Sequence, residues 1–521
     1  MGTNKLINSC LTALVIFLII ISLPGKAALS ANTNSNSLTF SPVDSIGINS
    51  EIDFFSSVSA VPSFMLDLLA ESLGHLDEVK TSLLGQFYPT PTEMFLGTPI
   101  LSNLLPDYLQ MITDPYYWSN YFYEALVNGI FIIPKPVDVV KPELILPTEE
   151  VKKGTEISAL PRQQTDLSEV TYEWQGREKT VEDYMITTQT DSLVFIHEGN
   201  LIYEDYANGW SPEMRAQPWS VTKSVTSALV GIARDEGKID SVQDPIENYI
   251  PELEGTDWQG ATIKNLLQME SGLYWDEEHP LLAFNTQVQQ WKVMFLDFLT
   301  GGRLGMTRNE YLKSMNRVAP PGEQFLYNSG DTQVLAWLIE NVYEASYAEV
   351  LSDKIWKPLG MEGNAEIMTD REGNAVASQS LYARAYDLAR FGELYRNNGQ
   401  TPSGKEIISA EWVEESVTFT DNSEGIYGYQ WWTHEEEWGD SFEASGFQGN
   451  KITVDPHKDV TGVRLSHHLG ANLRPDGDNP LDLSTYGFEV EMGSKEWNAM
   501  YNAVVEELNS NSPIGKDENS H

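Results

Sequence analysis

The fold is decided by the stretch WSVTKSVTSALVGIA, residues 219–233. Its apolar residues, among them Val225 and Leu229, recur at the spacing of one face of a helix. A helix that begins near Ser220 would place the side chains of Ser220 and Lys223 on the same face, one turn apart. It would also place the Ser220 amide among the free N–H groups of a helix N-terminus, in a positive local field.

This arrangement supplies part of what a catalytic serine needs. A serine hydroxyl is a poor nucleophile at neutral pH, and it becomes reactive when a base takes its proton and nearby donors hold the oxyanion that forms. Lys223 is a candidate for the base, and the Ser220 amide is a candidate for one of the donors. A serine in front of an apolar helix is often only an N-cap, so Ser220 also has a purely structural interpretation.

The composition excludes one class of partner. The chain has 521 residues and a formal net charge of −43, with 76 acidic side chains against 33 basic ones. Such a chain repels nucleic acid and anionic membrane surfaces, so we expect no DNA or RNA partner. An apolar content of 41% is enough for a sizeable folded core.

The N-terminus has the pattern of an export signal. An apolar run covers Leu11–Leu23 and is followed by small residues from Ala27 onward. The run is short for a membrane-spanning helix, and we therefore predict a signal peptide over 1–28 and an exported protein, periplasmic or extracellular. An uncleaved membrane anchor is the alternative. Cys10 is the only cysteine, so cleavage would leave no disulfide, thiol nucleophile or cysteine metal site.

The segment 29–165 differs from the rest of the chain. It contains an aromatic stretch, and its last part, 134–161, is rich in Pro, Lys and Glu and is typical of a spacer. We predict an aromatic-rich extension and linker here. Its aromatic part, within 60–135, either packs on the main domain or contacts a membrane, a protein partner or the mouth of the active site. The main domain is expected over 166–510, followed by a tail at 511–521.

The main domain has strand patterns near both ends and a helical middle. Strands are predicted near both of its ends, at 192–197, 201–206, 427–432, 442–450, 451–454 and 461–465. Helices are predicted between them and at the C-terminal end, at 220–237, 262–269, 334–339, 385–391 and 497–508. This order indicates an α/β domain whose sheet is built from both ends of the chain.

Three further motifs follow the Ser220–Lys223 pair along the chain. They are TIKNLLQMESGL at 262–273, PPGEQFLYNSG at 320–330 and ASGFQG at 444–449. In this order the motifs resemble the serine β-lactamase-like superfamily, and most of all the branch that holds class C β-lactamases, D-amino-acid peptidases, related esterases and 6-aminohexanoate-dimer hydrolases. The resemblance implies a β-lactamase-like fold, in which an antiparallel sheet is flanked by helices and joined by a helical subdomain.

The resemblance also implies catalytic roles. Ser220 matches the acylated serine, Lys223 the lysine that hydrogen-bonds it, and Tyr327 the tyrosine that helps to move protons. The amides of Ser220 and Phe447 match the donors of the oxyanion hole. A desolvated lysine beside a phenol is expected to bring both pKa values toward neutrality, so the trio needs no histidine, no metal and no organic cofactor. The absence of Gly-x-Ser-x-Gly argues against an α/β-hydrolase nucleophile elbow.

The substrate-binding positions depart from those of class C β-lactamases. Ser329 takes the third place of the Tyr-x-Asn motif, and Ala444, Ser445 and Gly446 stand where those enzymes have Lys-Thr-Gly. The missing lysine removes a cation that suits a substrate carboxylate. We therefore expect a small amide or ester substrate, cleaved through an acyl-enzyme on Ser220. A D,D-carboxypeptidase or true β-lactamase, and a non-catalytic binding module of the same fold, remain as alternatives.

Overall fold

The computed structural model describes residues 27–31, 38–42, 147–158, 160–188, 190–277, 286–433, 441–466 and 490–511. The chain divides into two compact units, Met1–Ser119 and Asn120–His521. In the first unit, strands β1 (Ala27–Ala31) and β2 (Leu38–Pro42) form an antiparallel pair. The aromatic region predicted within 60–135 lies outside the described residues.

The second unit holds the remaining elements. In chain order they are β3 (Thr148–Val151), β4 (Thr171–Trp174), β5 (Arg177–Thr180), α1 (Val181–Thr187), β6 (Ser192–His197), β7 (Asn200–Tyr206), α2 (Val221–Asp235), α3 (Ile263–Leu267), α4 (Thr286–Thr300), α5 (Arg308–Lys313), α6 (Ser329–Tyr343), α7 (Tyr347–Leu351), β8 (Ala365–Met368), β9 (Leu381–Tyr382), α8 (Ala385–Arg396), α9 (Ala410–Val417), β10 (Trp432–Thr433), β11 (Phe442–Gly446), β12 (Asn450–Asp455), β13 (Val460–Leu465) and α10 (Val490–Asn511). Among the described residues, no helix is both long and apolar enough to cross a membrane.

A six-stranded antiparallel sheet organises this unit, with the strand order β10-β11-β12-β13-β6-β7. The early hairpin β6–β7 joins the late strands through the pairing of β13 with β6, where Val463 lies opposite Val194. Both strands of that pair are buried along their whole length. The expectation of a sheet built from both ends of the chain is therefore confirmed.

Helices cover both faces of the sheet. Because side chains alternate along a strand, Val194 packs in the core that contains α2 and α8, whereas Phe195 packs on the opposite face. There the Phe195 ring stacks on Trp497 of α10, with ring centroids 6.1 Å apart. On the first face, Gly392 lets α8 lie directly on β12 and β13, since a Cβ at this glycine would come within 2.6 Å of the Thr461 side chain.

Helix α2 is the buried helix that carries Ser220 at its N-terminus. Its residues from Val221 to Ala233 are all buried, and it packs against α6. Gly231 allows the Trp412 ring of α9 to approach, because a Cβ there would lie 2.5 Å from that ring. The helix ends at Asp235, and Gly237, with φ +71°, follows as the left-handed residue that terminates many helices.

Three predicted segments differ from the structure. The predicted strand 442–450 is wrong at 447–449, where Phe447–Gly449 form a 3₁₀ turn between β11 and β12. The predicted strand 427–432 is wrong, since only Trp432 and Thr433 pair with β11. Before them Gln430 has a positive φ of 64°, and its amide donates to the Leu267 carbonyl, so the chain turns. The predicted spacer is also wrong at β3, which pairs with β8 and buries Val151 completely. The domain boundaries near residues 165 and 510 stay predictions.

Candidate active site

Ser220 lies at the N-terminus of α2, in the N-cap position. Its backbone is already helical, with φ −65° and ψ −9°, and within the described chain its side chain caps no helix amide. The hydroxyl instead accepts a hydrogen bond from Lys223 Nζ at 2.9 Å. The structural interpretation of this serine as a side-chain cap is therefore not what the geometry shows, and the pair meets as the helical spacing predicts.

Lys223 is buried, with 1% of its surface exposed. Its ammonium donates to the Ser220 and Ser329 hydroxyls, at 2.9 and 2.7 Å, and to the Ser378 carbonyl at 3.1 Å. These acceptors match the three donors of an ammonium group. Burial lowers the pKa of Lys223 to about 8, and the charge of Glu277 opposes this shift. A lysine with such a pKa can act as a base close to neutral pH.

Tyr327 lies against the same cluster. Its ring is 4.9 Å from Lys223 Nζ, and it stacks on the Trp432 ring with centroids 5.5 Å apart. Burial raises the pKa of the phenol far above its usual value, the charge of Glu277 raises it further, and a hydrogen bond with Ser220 offsets only part of this. The expectation that both pKa values move toward neutrality is thus wrong for Tyr327, because burial penalises the phenolate.

The end of β11 runs directly alongside the nucleophile. A Cβ on Gly446 would lie 2.1 Å from the Pro218 carbonyl and 3.1 Å from the Ser220 amide nitrogen, so the two backbones are in close contact. Phe447, the next residue, begins a short 3₁₀ turn. The structure thus brings Gly446 against Ser220, and the ring of the predicted oxyanion donor Phe447 lies 5.4 Å from that of Trp219, the residue before Ser220.

Two buried side chains hold this turn. Arg464 donates to the carbonyls of Gln448 and Gly449, at 3.0 and 2.6 Å. The Gln448 side chain accepts from the Trp219 indole at 2.8 Å, which joins the turn to the residue before Ser220. Trp219 itself has a positive φ of 52°, an uncommon conformation for a bulky residue and a form of strain that occurs at functional sites.

The predicted substrate-binding residues fall into two groups. Ser329 is completely buried and is part of the lysine cluster. Ser445 lies opposite Lys451 on β12, with its hydroxyl 3.4 Å from Nζ. Lys451 forms a buried ion pair with Glu443. Ala444 is buried in the core that contains α2, so the position of the missing lysine holds a methyl group.

Sequence reasoning missed several contributors to the site. Glu277 accepts from the Ser329 amide at 3.0 Å, and the run Tyr-Trp-Asp-Glu directly after the motif 262–273 was an available signal for it. No local pattern pointed to the Ser378 carbonyl or to Arg464, which reach the site only through the fold. In the part of the chain that the structure describes, no group of three or more His, Cys, Asp or Glu side chains could hold a metal ion.

Comparison with known proteins shows which proteins the chain resembles. The sequence model of the Beta-lactamase family matches residues 178–486. The 6-aminohexanoate-dimer hydrolase of Paenarthrobacter ureafaciens is 30% identical over 298 residues, which cover 55% of this chain and 74% of that protein. The D-alanyl-D-alanine-carboxypeptidase/endopeptidase AmpH of Escherichia coli K12 is 23% identical over 204 residues, covering 34% of this chain and 47% of that enzyme.

A solved structure shows the same architecture. The "Putative 6-aminohexanoate-dimer hydrolase from Bacillus anthracis" superposes with a TM-score of 0.62 and 26% sequence identity, covering 76% of this chain and 95% of that one. The predicted β-lactamase-like fold is therefore confirmed. Because the family model spans well over half of the 521 residues, the chain belongs to the Beta-lactamase family and is a hydrolase of the serine β-lactamase-like superfamily.

Proposed function

We propose that this protein hydrolyses small amide or ester substrates through an acyl-enzyme on Ser220. One observation carries the proposal: the Ser220 hydroxyl lies 2.9 Å from Nζ of a lysine whose pKa burial lowers to about 8. A nucleophile in hydrogen-bond reach of a base with such a pKa is the signature of nucleophilic catalysis. Hydrogen bonds from Lys223 Nζ to the Ser329 hydroxyl and the Ser378 carbonyl fix the lysine in that position.

The geometry supports the following acylation step. The neutral amine of Lys223 takes the hydroxyl proton, and Ser220 Oγ forms a bond to the carbonyl carbon of the substrate. The amides of Ser220 and Phe447 hold the oxyanion. Tyr327 stays protonated, since burial raises its pKa, and it gives its phenolic proton to the leaving amine or alcohol as the scissile bond breaks. The phenolate then recovers a proton from Lys223.

Deacylation reverses these proton movements. Water attacks the acyl carbon and passes a proton to Lys223, and the oxygen of Ser220 leaves and takes that proton back. The acid is released and the resting hydroxyl is restored. No group outside the Ser220–Lys223–Tyr327 trio and the amides of Ser220 and Phe447 is needed for proton balance.

The choice of amides or esters over carboxylate-bearing substrates rests on the lack of a free cation, among the described residues, at the end of β11. Ala444 provides no cation, and Lys451 on the next strand is neutralised by its buried ion pair with Glu443. A penicillin or a peptide that ends in D-alanine would find no free ammonium at this position. That the matched relatives include an enzyme named for an amide dimer, 6-aminohexanoate dimer, supports a linear amide.

The proposal includes export. The predicted signal peptide over 1–28 leads to the periplasm or the extracellular space, with membrane association through 60–135 as the alternative. An uncleaved N-terminal anchor is a further alternative. Fractionation of cells that express the full chain tests all three: mature mass in the soluble periplasmic or culture fraction supports export, mature mass with the membranes supports association through 60–135, and full mass with the membranes supports the anchor.

Turnover by matched serine variants tests the function. The substrates are p-nitrophenyl butyrate, a linear N-acyl amide and nitrocefin. Ser227→Ala is the control for Ser220→Ala, because Ser227 lies on the same helix and its buried hydroxyl has no partner among the described residues. We expect Ser220→Ala to lose about 10³-fold or more in kcat, and Ser227→Ala to keep it. Activity retained in Ser220→Ala would refute the mechanism, and a folded parent inactive on all three substrates would favour the binding module.

A further inference from the structure

Glu277 lies beside the site, yet it takes no part in the proton transfers proposed for catalysis. Its Oε1 accepts from the Ser329 amide at 3.0 Å and from the Trp275 indole at 2.5 Å. Ser329 is the first residue of α6, and its hydroxyl accepts from Lys223 Nζ at 2.7 Å. The carboxylate is therefore joined to the lysine of the site through a single residue.

The loop that carries Glu277 is fixed on α6. A Cβ at Gly330 would lie 3.1 Å from the Trp275 ring, so the indole rests directly on the first turn of the helix. The Tyr274 amide donates to the Asn316 carbonyl at 2.8 Å, which holds the start of the loop. A carboxylate in this place accepts from a helix N-terminus, where negative charge is favourable.

The charges around Lys223 come from several elements. Its hydrogen-bond acceptors on α2, on α6 and in the loop before β9 are neutral hydroxyls and one carbonyl. Tyr327 and Tyr427 stay protonated, because burial raises the pKa of each phenol. Burial also raises the pKa of Asp331 well above its usual value, which favours its neutral form. Glu277 is the carboxylate whose charge acts on Lys223.

We propose that Glu277 is a positioning residue for the hydrolytic reaction: it fixes Ser329, and through Ser329 the amine of Lys223, and it supplies the negative charge that balances the lysine. This inference rests on the proposed function. The hydrogen bond sets where the amine lies, and the charge sets the pH at which the amine loses its proton.

The two contributions can be separated by substitution. Glu277→Gln keeps an oxygen that accepts from the Ser329 amide but removes the charge. Since a nearby carboxylate raises the pKa of a lysine, its loss lowers the pH at which Lys223 becomes a free base. Glu277→Asp keeps the charge and shortens the reach to Ser329. Glu323→Gln is the matched control, because Glu323 is an exposed carboxylate in the 320–330 motif.

The experiment measures kcat/KM against pH for p-nitrophenyl butyrate with the full chain, together with the rate at which a fluorophosphonate adds to Ser220. For Glu277→Gln we expect the rise of kcat/KM with pH to occur about one pH unit lower than in the parent. For Glu277→Asp we expect kcat/KM to rise over the same pH range as in the parent, with a reduced kcat. For Glu323→Gln we expect no change. A role in folding alone would lower the stability of the variants and leave the pH of that rise unchanged.

The outcomes distinguish this inference from the proposed function. A parent that reacts at Ser220, with a Glu277→Gln variant whose kcat/KM rises at the same pH as the parent's, overturns the role of Glu277 alone. If Glu277→Gln does not fold, Glu277→Asp is the variant that tests the proposal. A shift in the pH at which its kcat/KM rises, or a kcat equal to the parent's, would overturn the positioning role of Glu277. A folded parent that neither reacts at Ser220 nor turns over the ester refutes the proposed function, and this inference with it.

Discussion

Replacing Lys223 with Met tests the buried ammonium through stability. Burial lowers the pKa of Lys223 from 10.5 to about 8, and the side chain is 1% exposed. The difference between these two pKa values corresponds to about 3 kcal/mol. Below about pH 8 the folded protein carries the buried cation at this cost. The cost disappears as the pH rises toward 10.5, because the folded chain then releases a proton that the unfolded chain still binds.

The sign and size of the effect follow from proton linkage. The free energy of unfolding rises with pH wherever the unfolded state binds more protons, so the parent gains stability through this window. Lys223→Met has no proton to release at this position and lacks that gain. Titrating groups that do not interact with Lys223 are common to both proteins and cancel in the difference. Between pH 7.5 and 9.5 the parent should gain about 2 kcal/mol relative to the variant.

Denaturation with guanidinium chloride, followed by tryptophan fluorescence at the two pH values, measures this difference. Met is apolar and close to Lys in length, so it fills the same space without a charge. Lys223→Met should also lose turnover. A difference in unfolding free energy that stays constant within about 0.5 kcal/mol between the two pH values would refute the reasoning, because it would mean that the lysine keeps an ordinary pKa in the folded state.

Three further predictions concern the pH profile and two glycines. In the parent, kcat/KM should rise with pH and reach half its limit near pH 8, the pKa to which burial lowers Lys223; a flat profile from about pH 6 to 9 contradicts this. Gly446→Ala places a Cβ 2.1 Å from the Pro218 carbonyl, so the end of β11 must move away from Ser220. Steady-state kinetics should then show a kcat about 10²-fold lower, as when an oxyanion donor such as Phe447 is lost. A kcat within about twofold of the parent would refute the assignment of Phe447 as an oxyanion donor. Gly392→Ala overpacks α8 on the sheet and should lower the unfolding free energy by about 1–3 kcal/mol in denaturant titrations, with kcat per folded molecule unchanged. An unchanged unfolding free energy would contradict this, because it would mean that the sheet accommodates the added methyl group without strain.

The local pattern predicted the elements that carry the nucleophile. The apolar spacing after Ser220 specified α2, and the three-residue separation from Lys223 predicted the contact that the structure shows at 2.9 Å. The strand-like runs at 192–197 and 201–206, separated by the turn residues Glu198-Gly199-Asn200, predicted the hairpin β6–β7. These features depend on neighbours a few residues away, which a periodic pattern records directly.

Features that depend on distant parts of the chain were not predictable in this way. The carbonyl of Ser378 reaches Lys223 from 155 residues away, and backbone acceptors leave no mark in the sequence. Gln430 interrupts a segment with strand-like composition because its side chain and backbone bond to α3. The raised pKa of Tyr327 comes from burial and from Glu277, and both depend on packing that motif order does not specify.

The measurement that tests the central claim most directly is intact-mass spectrometry of the full-length preparation after reaction with a fluorophosphonate and, in parallel, with an activated ester. Ser220→Ala is treated in the same way, with circular dichroism to show that it is folded. The account predicts a single adduct that peptide mapping places on Ser220 and that is absent from Ser220→Ala. An adduct that persists in the folded Ser220→Ala variant, or an ester turned over by a parent that never acquires an acyl group on Ser220, would contradict it.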